Sequence, residues 1–443
     1  MKKQVFSILL LSVVMLFTST LFAYDMTTKE GTDGTFTLES KTFVISFDLN
    51  LGVLKDIYIK VDRSTDLISR YGNDGFNVFV GDTELIPISH TAFRDEVSGA
   101  FIIRFDYEKG TKTFVIYDNP YYDFEVQYSF SEPISMTFPY ISNTKTFDPN
   151  SYHMSYLGKP KSLMTLYSTD AVFSDGILNT KSGSGSIKVY AGPVKLVYIS
   201  EAIPELYDTI KQNLSEVGAL GFFSYIHHGL VVFLYYLFKL TGNFGWAIIL
   251  FTLVVRLVLY PLYHVQTKSM IEMRKVQPEI EKIRKKYKDP QKQQQALMAL
   301  YREKHINPAT GCLTLLIQLP VFFVLYSVIR YFSEMFAYAP KFLIWSDLSS
   351  GGFLQNSLLI LISIVTGIYL ATVTSQDGKT ARQSMIMSMV FPFLFYTLPT
   401  GLFIYYATNS IIQLLITIYV YRKFGMKGIS MREVLGLPPK PAK

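Results

Sequence analysis

Arg256 puts a permanent positive charge in the run 246–264, WAIILFTLVVRLVLYPLYH, which holds no other formal charge. A guanidinium keeps its proton at any ordinary pH. At mid-bilayer depth it costs about 2.5–3.5 kcal/mol on the insertion scale. A cation so placed needs water, a partner or a task, unless it snorkels to the surface or sits in a structural ion pair. Polar residues recur where they could meet it. Thr252 lies four residues earlier on the same helix face. Gln318 precedes Pro320 in a later apolar run, and Ser384 and Ser388 share a face of another. In the last run Tyr406, Asn409, Ser410 and Gln413 form a stripe at helical spacing. In lipid such groups must face protein or water. Singly, each suits an ordinary interhelical hydrogen bond, worth under about 2 kcal/mol. Together, converging on one cation with no intramembrane Asp or Glu to pair it, they describe a hydrated groove. Its chemistry is attraction of a polar or acidic segment, not bond making. The chain shows no catalytic constellation: His90 and His153 are isolated and read as structural or surface residues. The single cysteine, Cys312, excludes an intrachain disulfide and a cysteine metal cluster. No GxxxxGK[ST] loop is present to cradle a phosphate. No enzyme activity, metal or cofactor is expected.

The elements that must position these residues follow from an uneven distribution of apolar residues. The chain has 443 residues, 49% hydrophobic and 17% charged, with the long charge-free runs in its second half. The net charge of +7 is better explained by basic loops beside a membrane than by a specific nucleic-acid site. Lys2 and Lys3 precede an apolar stretch long enough to span. Residues 1–24 are therefore expected to form a signal anchor; a cleavable signal is the alternative, although Leu21 would then stand where a small residue is preferred. Positive-inside logic keeps the lysines in the cytoplasm and exports residues 25–200.

In that exported region the period is two. Residues 42–47, 101–107, 113–117, 124–130 and 187–190 read as strands, separated by turn clusters at 31–34, 118–120 and 182–186. They predict a β-sandwich. Residues 201–243 read as amphipathic and interfacial helices, with Ile203, Leu206, Ile210 and Leu214 on one face. Transmembrane spans are expected at 244–264, 309–332, 353–374, 384–400 and 401–421. The intervening segments are a cytoplasmic helical hairpin at 265–308, a periplasmic loop at 333–352, a cytoplasmic loop at 375–383 and a basic cytoplasmic tail at 422–443. With the anchor this gives six transmembrane helices and both termini inside. In the hairpin, Met273, Val276, Ile280, Ile283 and Tyr287 form one seam, with Leu297, Leu300 and Tyr301 opposite; Lys288-Asp289-Pro290 breaks the helix between. It is either a solvated charged loop that fixes topology or a docking platform for acidic partners or nascent chains.

At this point the chain resembles a known family. VRLVLYPL at 255–262, QPEI at 277–280, NPATGC at 307–312, LLIQLPVFF at 315–323, WSDLS at 345–349 and LPTGLFIYYATNS at 398–410 are similar, in order and spacing, to the bacterial YidC membrane protein insertases, relatives of the mitochondrial Oxa and chloroplast Albino proteins. The likeness covers about residues 220–430; the exported domain matches the subgroup with a large periplasmic domain by position and strand character only. The resemblance implies a five-helix core around a groove open to cytoplasm and lipid and closed outward. Arg256 falls on the groove arginine, and Thr252, Leu319, Phe322, Tyr405 and Tyr406 fall on groove-lining or substrate-contacting positions. It implies an inner-membrane insertase and folding chaperone, working alone or with the Sec translocon, whose partners are nascent membrane proteins and the lipid bilayer. The ribosome and the signal-recognition-particle receptor are further candidates. The rival from another class is a small-solute or ion transporter with a membrane-anchored periplasmic binding domain, which would favour internal repeats and paired broken helices that are not evident. An envelope enzyme or sugar-binding module with an anchor is a third reading, against which five further spans are too many.

Overall fold

The computed structural model describes residues 26–61, 67–70, 75–139, 152–156, 162–174, 176–304, 310–375, 378–425 and 428–434. The expected anchor at 1–24 and the end of the basic tail lie outside the described residues. The chain divides into two compact units, one of residues up to Val232 with Tyr331–Ala339, the other of Phe233–Arg330 and everything from Pro340. The helices are α1 (Leu196–Ala202), α2 (Tyr207–Glu216), α3 (Phe222–Thr241), α4 (Phe244–Val258), α5 (Tyr260–Lys275), α6 (Gln277–Lys286) and α7 (Pro290–Glu303). They continue with α8 (Thr310–Tyr331), α9 (Ser333–Tyr338), α10 (Phe353–Thr374), α11 (Gly378–Leu394), α12 (Thr400–Lys423) and α13 (Met431–Val434).

The first unit is antiparallel β-structure in three sheets. The largest runs, edge to edge, Tyr152–Tyr156, Ser162–Tyr167, Ser184–Pro193, Asp123–Phe130, Gly110–Ile116, Phe101–Tyr107 and Ser89–Arg94. Alternation does what the period of two predicts: Phe101, Ile103, Phe105 and Tyr107 are buried while Arg104 between them is exposed. A five-stranded sheet from the first strands packs over this face. Phe36 stacks on Phe101 at 5.7 Å, and Phe47 meets Phe114 edge-on at 4.9 Å, so aromatic pairs join the two layers within a core that also holds many aliphatic side chains. One expected turn is different. Residues 184–186 belong to the strand Ser184–Pro193 and pair with 127–129. The Tyr128 ring lies so close over Gly185 that a Cβ there would sit 2.5 Å from its hydroxyl oxygen; the glycine makes room for a ring rather than for a loop. After the last strand, Ile203, Leu206, Ile210 and Leu214 are all buried, on the face expected of them. Tyr331–Ala339 is built into the same unit, with Ser333, Glu334, Met335 and Phe336 buried.

The second unit is helical. Its surface is the inverse of the first unit's: Leu257, Val258, Leu354, Leu361, Ile386, Leu415 and Tyr419 are exposed along its helices. Exposed large apolar side chains in such number mark an interaction surface, with lipid or with another protein. Among the described residues, α10 and α12 are long and apolar enough to cross a membrane, and Phe244–Val258 and Leu319–Tyr331 are shorter apolar helices. α12 packs against α4 and α10, and α10 also packs against α11. Asn243 caps α4 by accepting from Gly245 N–H at 2.9 Å. Two expected boundaries move. The span at 244–264 is interrupted at Leu259, because Pro261 has no N–H to give the carbonyl one turn back. The span at 384–400 becomes α11, which starts six residues earlier and takes in Lys379 and Arg382. Its start is helical because Ala381 and Met385 are buried against Ala371 and Val434. Part of the segment read as a basic tail is docked: Ile429 N–H donates to Thr372 O at 2.8 Å.

Candidate functional site

Arg256 lies in the last turn of α4 and is only 8% exposed. Its Nε–H donates to Asn409 Oδ1 at 2.7 Å, Nη1 to Gln413 Oε1 at 2.7 Å, and Nη2 to the Asn409 carbonyl at 3.0 Å. The guanidinium carbon sits 4.3 Å from the centroid of the Tyr263 ring, a cation–π geometry. Gln413 is turned by its other end, Nε2 donating to Thr417 Oγ1 at 3.2 Å. α4 supplies the cation and α12 the acceptors, because those helices pack side by side and Asn409 and Gln413 are one turn apart. Among the described residues none of the cation's partners is a carboxylate. Neutral amides and an aromatic face are the cation's protein partners, which is how its N–H groups are satisfied in an apolar unit.

The other expected groove residues separate. Thr252 is fully buried, and its hydroxyl donates to Ile248 O at 2.7 Å within its own helix rather than turning to Arg256. Ser388 likewise donates to Ser384 O at 2.9 Å, and it lies against Gly367 of α10, a small-residue contact between helices. It does not join the cation. Tyr405 is buried and Leu319 is exposed. Phe322 and Tyr406 come together in an apolar pocket also lined by Pro392, Phe395, Leu398, Leu402 and Phe403. The Gln318 side chain lies outside the described residues. The site is therefore two adjoining features of the helical unit, a held cation and an apolar pocket, both bordered by α12.

Two contributors escaped the sequence reading. Tyr263 follows Arg256 by seven residues, two helical turns, and that spacing was the available signal. Asn356 is fully buried near the start of α10. Its Nδ2 donates to Tyr396 O at 2.9 Å and Leu398 O at 3.0 Å, and its Oδ1 accepts from Thr400 Oγ1 at 2.8 Å. It ties the start of α12 to α10, and an asparagine in an apolar run was itself the hint.

The helical hairpin brings Met273, Val276, Ile280, Ile283, Leu297, Leu300 and Tyr301 into one small cluster. Asp289 caps α7 through Gln291 N–H at 2.9 Å, so the expected break is real. Tyr287 is not in that cluster. α6 ends at Lys286, and the extended backbone at Tyr287 takes its side chain off the helical face. Among the described residues no group of three or more His, Cys, Asp or Glu is placed to hold a metal.

Comparison with known proteins bears on this arrangement. The profile of the family described as 60Kd inner membrane protein matches residues 236–427. A membrane protein insertase YidC of Thermotoga maritima is 47% identical over 407 residues, covering 89% of this chain and 90% of that one. Another of the same description, from Endomicrobium trichonymphae, is 33% identical over 248 residues, which are 54% of this chain and 46% of the relative. Among solved structures, an active YidC insertase with its first transmembrane domain resolved superposes with a TM-score of 0.76 and 43% identity, covering 95% of this chain and 100% of that one. The crystal structure of YidC from Thermotoga maritima gives a TM-score of 0.66 at 34% identity, over 88% and 99% of the two chains. With a β-sheet domain ahead of a helical core, and likeness over most of its length, the chain belongs to the YidC family of membrane protein insertases.

Proposed function

We propose that this protein inserts nascent membrane proteins into the inner membrane, and that Arg256 receives the polar segment a substrate must carry across. The observation that carries this reading is a cation nearly buried in an apolar helical unit and solvated only by neutral groups among the described residues. A carboxylate partner would compensate the guanidinium's charge, whereas amides satisfy its N–H groups and leave the net charge uncompensated. An acidic or polar segment reaching Arg256 has less hydrocarbon left to cross, and a low local dielectric strengthens its attraction to the guanidinium. Phe322, Tyr406 and exposed Leu319 offer the following apolar segment a surface beside lipid. Its burial in lipid, at roughly 25 cal/mol per Å², supplies the driving force, and no nucleotide enters the scheme.

In this reading the chain spans six times with both termini in the cytoplasm, residues 25–200 are periplasmic, and the hairpin of α6 and α7 is cytoplasmic. Its basic surface supports the orientation, since positive segments stay inside. The Sec translocon acts beside it for some substrates, as the family resemblance implies, and the ribosome and the signal-recognition-particle receptor are candidate contacts of the basic hairpin and tail. The test is a photo-crosslinker at Leu319 or Tyr406 in the reconstituted full chain, presented with a stalled nascent membrane protein. Both positions are expected to crosslink, and Arg256→Ala is expected to lower insertion while Arg256→Lys keeps part of it. Crosslinks absent at both sites, or an alanine variant that inserts as well as wild type, overturn the reading.

A further inference from the structure

We infer that Asn409 and Gln413 are specificity residues: they occupy the guanidinium of Arg256 as neutral stand-ins for a substrate carboxylate, so that only a carboxylate displaces them. This rests on Arg256 being the receiving point. A guanidinium offers five N–H groups in a rigid planar fork. The edge formed by Nε and Nη2 is one a carboxylate grips with two oxygens. Here that edge is taken by two oxygens of a single residue, Asn409 Oδ1 at 2.7 Å and the Asn409 carbonyl at 3.0 Å. Gln413 Oε1 takes Nη1 at 2.7 Å, and Tyr263 covers one face of the plane. The arrangement copies the geometry of an acid without its charge.

Selectivity follows from what an incoming group adds. A neutral amide or hydroxyl would replace one neutral acceptor by another and gain little. A carboxylate brings the opposite charge into a low dielectric as well as the bidentate fit. The backbone carbonyl of Asn409 is fixed in α12, so the exchange needs Arg256 to swing away from that helix. Gln413 is only half-buried and can turn aside. Its hydrogen bond to Thr417 holds its oxygen toward the cation until then.

The experiment uses the full chain in proteoliposomes and two substrates differing only by Asp→Asn in the exported segment. The readout is the ratio of acidic to neutral substrate inserted, which a simple loss of folded protein does not change. Gln413→Glu places a resident carboxylate on the donor and is expected to lower the ratio about tenfold, equivalent to about 1.4 kcal/mol. Gln413→Met, of similar size and without an acceptor, is expected to raise the ratio. A wild-type ratio in both variants overturns the inference. Arg256→Ala separates the two levels: if it collapses the ratio while the Gln413 variants do not, only the stand-in role fails. If Arg256→Ala keeps the ratio, the receiving role of Arg256 fails with it.

Discussion

Lys112 is fully buried in the β-domain, donating from Nζ to Phe76 O and lying 5.5–5.7 Å from the ring centroids of Phe105, Tyr107 and Phe114. Burial pushes its amine well below the ordinary 10.5. Between that depressed value and 10.5 the unfolded chain binds the extra proton, so stability rises with pH across this window and is lower at all pH values beneath it. Lys112→Met is expected to raise the melting temperature at neutral pH and to flatten the rise toward pH 10.5, measured on the full chain in detergent through the β-domain's circular dichroism. An unchanged melting curve at neutral pH would contradict this. The alternation along residues 101–107 was plain in the sequence, but the buried lysine on the neighbouring strand was not. Arg256 was legible because a charge in an apolar run is conspicuous; its holders were legible only as a stripe. Asn409 and Gln413 became partners through packing, and Thr252, equally well spaced, satisfied itself within its helix.

Between elements, a buried polar link in the first unit joins the start of α1 to the segment Tyr331–Ala339. Lys195 Nζ lies 2.5 Å from Glu334 Oε2, and both side chains are buried. Tyr198 donates to the same oxygen at 3.0 Å, and the Tyr331 hydroxyl accepts Val197 N–H at 3.0 Å. Removing one partner strands a buried charge. Glu334→Ala is therefore expected to destabilise the first unit by about 3–5 kcal/mol, and a Lys195→Met/Glu334→Leu pair to recover most of that loss. Denaturant titration of the full chain in detergent checks both; a double variant no better than Glu334→Ala would show that packing rather than charge is at stake. The sequence reading placed residues 333–352 in a single outer loop. Local signals could not show that the first seven residues of this region, with Tyr331 and Phe332 before them, join a β-domain that begins some three hundred residues earlier.

Over the whole molecule, the two units solve opposite solvent problems. The β-domain buries its aromatic rings in a conventional core, whereas the helical unit turns apolar side chains outward. The hairpin of α6 and α7 is held by a small cluster, with Val276, Ile280 and Leu300 as its buried residues, and by a cross-helix ion pair, Lys304 to Glu279 at 3.3 Å between partly exposed side chains. Little apolar burial means a low local opening free energy. Backbone amides of Gln277–Lys286 and Pro290–Glu303 are expected to exchange with deuterium at least about a hundredfold faster than those of Phe353–Thr374, in detergent or nanodiscs. Equal protection would remove the basis for treating the hairpin as the adaptable element that meets nascent chains.

The sequence by itself determined the class of each segment. Alternating aromatics made strands, long apolar runs made membrane helices, and the lone cation marked the place where chemistry had to occur. These signals are local, because side-chain periodicity and hydropathy are set by near neighbours along the chain. Only the tertiary structure decided who meets whom. It chose Asn409 and Gln413 for Arg256 across 153 and 157 residues, and Glu334 for Lys195 across 139. It moved the start of α11 upstream and docked Ile429 onto α10. The reason is physical: a buried polar group takes whichever complementary partner the packing of distant helices brings within about 3 Å, and that register is not written in any one segment.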